Sequence, residues 1–291
     1  MEDRKKEESK KKYAEGFELL QKRDYKYAKK AFEDAINADP KNAEAYSGKA
    51  NALFGMQEVE KGFKAIEKAL ELAPDNTGIL DMYGAYLYNF GKFNDALGVI
   101  ERLISMAPEN PDYWHKKGDV LAGMEENDKA VEAYDKALSI DPTGVEVLRD
   151  KGILLEQMQK YEGALDAFRQ AAKLLPQETY FYDCQGQLFG RLGRYEEALL
   201  AFSLAMKVDQ DDEYAINGMA AALTKLGKMD EALQMFDEMI DRNPENAFSW
   251  DGKAYVLKQM GKLEEAEQAA EHAKKLFRKQ EESTPGMFGN A

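Results

Sequence analysis

Three side chains in this 291-residue sequence are of the types that carry nucleophilic or acid–base chemistry: the single cysteine, Cys184, and the two histidines, His115 and His272. A thiolate nucleophile needs an imidazole within hydrogen-bond reach, so the elements that hold these residues decide whether such chemistry exists. Metal-binding spacings are missing. There is no Cys-x2-Cys and no His-Glu-x2-His, and paired carboxylates such as Asp211-Asp212 precede helical segments, where capping accounts for them. The glycines do not form a Gly-x4-Gly-Lys phosphate loop. Lys5, Lys6, Lys10, Lys11 and Lys12 could face phosphates, yet acids interleave them, the pattern of a solvated helix start. No cofactor and no metal are expected.

The charge balance narrows the partners. Forty Lys and Arg stand against 54 Asp and Glu, a formal charge of −14. Such a surface repels nucleic-acid backbones and anionic lipid, so neither nucleic acid nor membrane is an expected partner. One cysteine cannot form an intrachain disulfide, which fits a reducing compartment. No apolar signal region follows the N-terminus, and no stretch approaches the roughly 18 apolar residues of a membrane helix. A cytoplasmic location is expected.

The elements that must position the candidate residues emerge from periodicity. Prolines recur every 34 residues at Pro40, Pro74, Pro108, Pro142 and Pro176; Gln210 takes the next place, and Pro244 resumes the series. With proline as position 32, the first unit begins at Ser9. Position 8 is always small, as in Gly16, Ala50, Gly118 and Ala254. Position 11 is always apolar, and position 20 is small again, as in Ala28, Gly62 and Ala266. Position 24 is large in seven units (Phe32, Ile66, Ile100, Tyr134, Phe168, Phe202, Phe236) and is Ala270 in the eighth.

Positions 4, 8 and 11 share one face of an α-helix, and positions 20, 24 and 27 share one face of a second. Small residues at 8 and 20 let two backbones approach, and the large residue at 24 fills the adjoining space. Glycine at position 15 (Gly91, Gly193, Gly227, Gly261) suits the left-handed end of the first helix. Proline 32 ends the second helix, and Asn42, Asn76, Asn110, Asp212 and Asn246 at position 34 can cap the next. The spacing predicts eight helix pairs.

These columns resemble the tetratricopeptide repeat family, whose pattern runs Trp-x2-Leu-Gly-x2-Tyr, then Ala-x3-Phe, then Pro. Trp114-x2-Lys117-Gly118, Ala130-x3-Tyr134 and Pro142 carry the match, and its Lys-Gly form is similar to prokaryotic arrays. The resemblance implies an all-α solenoid, a right-handed superhelix of antiparallel helix pairs over residues 9–280. Residues 1–8 would then be a charged lead-in, the eighth repeat a cap, and residues 281–291 a flexible tail. In this register His115 and Cys184 lie on first helices two repeats apart, at least about 16 Å given helix spacings of 8–10 Å. A Cys–His dyad is excluded on that geometry, and the chain is read as non-catalytic.

The resemblance further implies that positions 2, 5 and 9 of each first helix face a concave groove, and that the chain is an adaptor or scaffold binding a protein or peptide there. Tyr180, Tyr214 and Phe248 put aromatics at position 2 of the last three repeats, beside Asp183, Gln187, Asn217, Asp251 and Tyr255. These eight are the expected partner-binding residues. The competing expectation is that the rings pack between repeats. Acids at the groove positions (Glu44, Asp81, Asp112, Asp119, Glu146, Asp183, Asp251) outnumber Lys10 and Arg149, favouring a neutral to basic partner. The lysine and asparagine set with which some family members clamp a carboxylate is incomplete, since Ser47 stands where Asn51 would need a lysine. The alternative is a self-assembling scaffold or a non-catalytic subunit of a larger complex; the oligomeric state is left open.

Overall fold

The computed structural model describes residues 2–283, with side chains from 3 to 279. Residues 284–291, most of the expected tail, lie outside it. Among the described residues there are sixteen α-helices and no strand. They fall into two compact units divided between Pro142 and Thr143. The first comprises α1 (Glu2–Gln21), α2 (Tyr25–Ala38), α3 (Ala43–Gly55), α4 (Val59–Leu72), α5 (Thr77–Asn89), α6 (Phe93–Met106), α7 (Pro111–Gly123) and α8 (Asn127–Ile140). The second comprises α9 (Val145–Gln157), α10 (Tyr161–Leu174), α11 (Thr179–Arg191), α12 (Tyr195–Val208), α13 (Glu213–Lys225), α14 (Met229–Arg242), α15 (Ala247–Gln259) and α16 (Leu263–Ser283). The lead-in continues α1 from Glu2, and residues 281–283 continue α16.

Local chemistry explains the boundaries. At position 34, the side chains of Asn42, Asn76, Asn110, Asp212 and Asn246 each accept a backbone N–H from the first turn of the helix that follows. At position 15 every repeat takes the left-handed conformation, including Arg23, Gln57, Glu125 and Gln159, which lack glycine's freedom. The aromatic at position 4 ties the next repeat to the preceding proline turn. The Trp114 indole donates to the Pro108 carbonyl at 2.8 Å, and that of Trp250 to the Pro244 carbonyl at 2.9 Å.

The core of each unit is a row of large position-24 side chains, rings in all but Ile66 and Ile100, set against small residues of the first helices. Phe32, Phe168 and Phe236 at position 24 are fully buried, each worth roughly 1.5–3 kcal/mol by removal from water. Phe202 lies between two first helices: a Cβ on Gly186 would come within 2.6 Å of its ring, and one on Gly218 within 2.2 Å. The alanines at position 20, from Ala28 to Ala232, admit the paired helix with almost no exposed surface. First helices of successive repeats also touch: α1 packs on α3, α11 on α13, and α13 on α15. That contact brings the position 2, 5 and 9 residues of neighbouring repeats alongside one another.

Candidate functional site

In the second unit, the face shared by α11, α13 and α15 carries the eight expected binding residues, in three different environments. Tyr214 is 69% exposed, with Gln187, Asn217 and Asp251 exposed on the same three helices and Tyr255 43% exposed. Tyr180 is 39% exposed. Its ring meets Phe181 edge-on at 5.4 Å, and its hydroxyl donates to the Cys184 sulfur one turn on. Phe248 is half-buried because α16 runs past it, and the Phe277 ring stands edge-on to it at 4.8 Å.

Asp183 is buried instead of facing the groove. Its carboxyl hydrogen-bonds with that of Asp212, the residue capping α13, while its Oδ1 has no partner. Burial first, and then the charge of Asp212, push Asp183 up to about 7. A carboxyl so placed keeps its proton below neutral pH. Asp183 was nominated from the position-5 spacing of the helix alone. What the spacing leaves out is the turn before α13, which covers it.

Cys184 shows no sign of activation. Burial pushes its thiol up to about 11, outweighing the hydrogen bond from Tyr180 that favours the thiolate. A nucleophilic cysteine needs the opposite shift. His272 is exposed on α16 and packs its ring 4.4 Å from that of Trp250 on α15, on a different element from Cys184.

A further feature lies in the first unit, where a hollow of about 190 Å³ opens between α5 and α7. Gly84, Ala85, Tyr88, Ile100 and Val120 supply its apolar walls, and the Lys116–Asp81 ion pair spans its rim. Its origin is volumetric. Position 24 here is Ile100 where four of the other repeats carry phenylalanine, and a Cβ on Gly84 would meet nothing closer than 3.5 Å. The pairing of a glycine at position 8 with a non-aromatic residue at position 24 was the available sequence signal, and the residues expected to bind did not include it.

With this geometry in view, the comparisons agree. The tetratricopeptide repeat family matches residues 13–77, 84–145 and 149–215, and further matches of the same description cover 191–250 and 249–280. The chain belongs to the tetratricopeptide repeat family, whose fold serves in general as a scaffold for protein interaction. Its fold is similar to that of PilF from Pseudomonas aeruginosa, at 19% identity over 72% of this chain and 96% of that one, with a TM-score of 0.58. MamA from Desulfovibrio magneticus RS-1 gives 20% identity over 58% and 96%, with a TM-score of 0.53. YrrB, described as a TPR protein with an unusual peptide-binding site, gives 22% over 64% and 96%, with a TM-score of 0.50. At such identities the likeness is one of fold. No curated protein matches the chain. No described helix is long and apolar enough to cross a membrane.

Proposed function

We propose that the chain is a non-catalytic adaptor that holds an extended peptide of a partner protein along the first-helix face of its second unit. The observation that carries this reading is Tyr214, 69% exposed on a face that also presents Gln187, Asn217, Asp251 and Tyr255. A ring open to solvent offers apolar contact, and the neighbouring amides suit the peptide backbone. The peptide-binding site named for YrrB, a protein of the same fold, supports the reading. Asp251, together with exposed Glu44, Asp112 and Glu146 elsewhere on first helices, favours a neutral to basic segment. Asp183 makes no contribution to that preference, being buried and protonated below neutral pH. A cytoplasmic setting, without nucleic acid or membrane as partner, belongs to the same reading and rests on the lone, unactivated cysteine and the net charge of −14.

Selection of peptides from a random library on the purified chain tests this. Binders recovered on wild type should be lost on the double variant Tyr214→Ala/Asn217→Ala while its circular dichroism is unchanged. Equal recovery on both would remove the second-unit face as the binding site.

A further inference from the structure

In the first unit, α2, α3 and α4 enclose a groove of about 410 Å³. Tyr46, Lys49 and Leu53 reach it from positions 4, 7 and 11 of α3, the side of that helix opposite positions 2, 5 and 9. Five lysines line it (Lys29, Lys49, Lys61, Lys64 and Lys68) against one acid, Glu33. The equivalent groove of repeats three and four, between α6, α7 and α8, sets Lys117 and Lys129 against Glu101, Glu126 and Glu132. Five minus one gives +4 for the first groove, and two minus three gives −1 for the second. In a chain with a formal charge of −14 the first groove is a local reversal of sign.

Repeat architecture accounts for only one of these lysines. The Lys49–Glu33 pair at 2.9 Å recurs as Lys117–Glu101 at 2.8 Å, so it belongs to the repeat. Lys29 stands apart. It occupies position 21, which is apolar in the next six repeats (Phe63, Leu97, Val131, Leu165, Leu199, Leu233). That position faces the following repeat, as Leu97 does in the α6–α8 groove, so a chain-end location does not explain a charge there. Lys64 holds position 22, where repeat four has Glu132. Neither Lys29 nor Lys64 is in an ion pair among the described residues. Lys61 and Lys68 pair with Glu58 and Glu71, which do not line the groove. Both lysines are exposed, and such surface pairs are weak enough for a better-placed carboxylate to displace.

The dimensions select a short ligand. Lys61, Lys64 and Lys68 follow one another at i, i+3 and i+7 along one stripe of α4. That stripe is about 10 Å long at 1.5 Å per residue, a distance extended chain covers in about three residues. Acids fence it: Glu58 and Glu60 stand at the start of α4, and Glu67 and Glu71 further along it. A nucleic-acid backbone continuing past the lysines meets those acids, whereas a short acidic segment ends before them.

We propose that this groove docks a short, extended acidic segment of a partner protein, with its carboxylates on Lys29, Lys61 and Lys64 and an apolar side chain beside Tyr46. The surface is distinct from the face around Tyr214 and has the opposite charge preference, so either reading can fail alone. Fluorescence anisotropy of the full chain with a labelled Glu-Leu-Glu-Glu-Leu-Glu peptide tests it, beside the analogue with Gln for Glu and a single-stranded oligonucleotide. The acidic peptide is expected to bind at least roughly tenfold more tightly than either control, and to weaken as salt rises. Lys29→Glu/Lys64→Glu is expected to weaken it at least about tenfold, while Lys129→Glu/Lys136→Glu, the same charge change in repeat four, leaves it within about threefold. Lys29→Leu restores the residue type of its column and should raise the denaturation midpoint yet weaken the peptide, a combination that a merely structural lysine does not give. Failure of the wild-type chain to bind the acidic peptide overturns the proposal, as does equal loss on the two charge-reversed variants. Tighter binding of the oligonucleotide than of the peptide overturns it in favour of nucleic acid.

Discussion

Asp212 caps α13 by accepting the Tyr214 and Ala215 amides at 3.0 Å each, and the same carboxyl meets the buried carboxyl of Asp183 on α11. The contact joins two consecutive repeats through one buried carboxyl. Asp183 is raised to about 7 in the folded chain by burial and by the charge of Asp212, against about 3.9 when unfolded. Because the folded state holds the proton more tightly, stability is highest below the unfolded value and falls as pH rises from about 4 towards 7. Glu213, also raised by burial and by Asp212, acts in the same direction. The second unit should lose on the order of 2 kcal/mol across this window. Asp183→Asn should flatten the dependence and raise stability at pH 8, where it removes a buried charge. Urea denaturation at pH 5 and pH 8 measures both, and a wild-type chain more stable at pH 8 than at pH 5 would contradict the upward shift of Asp183.

Glycines at position 8 or 6 are predicted to differ sharply according to the ring beside them. A Cβ on Gly218 would sit 2.2 Å from the Phe202 ring. That ring has no room to withdraw in a packed core, so Gly218→Ala should destabilise by about 1–3 kcal/mol. Gly84 faces the Ile100 hollow, with its nearest neighbour at 3.5 Å. Gly84→Ala should therefore gain up to about 1 kcal/mol of helix propensity. Equal losses from the two substitutions would show that the rings do not set the spacing.

The repeat frame was legible because each column answers a local requirement that 34-residue spacing exposes. Proline stops, asparagine caps and small residues at 8 and 20 are read from single positions. The two surprises depend on pairs that the columns do not link. Asp183 looks like a groove residue until the turn carrying Asp212 is folded over it, and Ile100 looks like any large position-24 residue until Gly84 fails to meet a ring. Phe248 was correctly placed on a first helix, yet its partner, Phe277, lies on an extension of α16 that has no counterpart in earlier repeats.

The left-handed column gives a third prediction. Gln159 holds φ at 59° where Gly193, Gly227 and Gly261 hold 73°, 73° and 78°. A side chain in that region crowds its own carbonyl, a strain of roughly 1–2 kcal/mol, partly offset because glycine also frees the unfolded chain. Gln159→Gly should stabilise by about 0.5–1 kcal/mol, and Gly193→Gln should lose a similar amount. Denaturation midpoints of the two variants decide it, and the prediction fails if Gln159→Gly lowers the midpoint.

The position-2 rings should separate under substitution because they sit in different surroundings. Phe248 packs edge-on to Phe277 and is half-buried, so Phe248→Ala should lower stability by about 1–2 kcal/mol, the order expected for an aromatic pair plus partial burial. Tyr214 is 69% exposed, and a substitution there changes little in the folded core, so Tyr214→Ala should stay within about 0.5 kcal/mol of wild type. Binding should show the reverse order: peptides selected on the wild-type chain should bind Tyr214→Ala at least tenfold more weakly, while any loss on Phe248→Ala should disappear at temperatures where that variant is fully folded. If Tyr214→Ala instead melts early and binds normally once folded, Tyr214 is a packing residue and the ligand lies elsewhere.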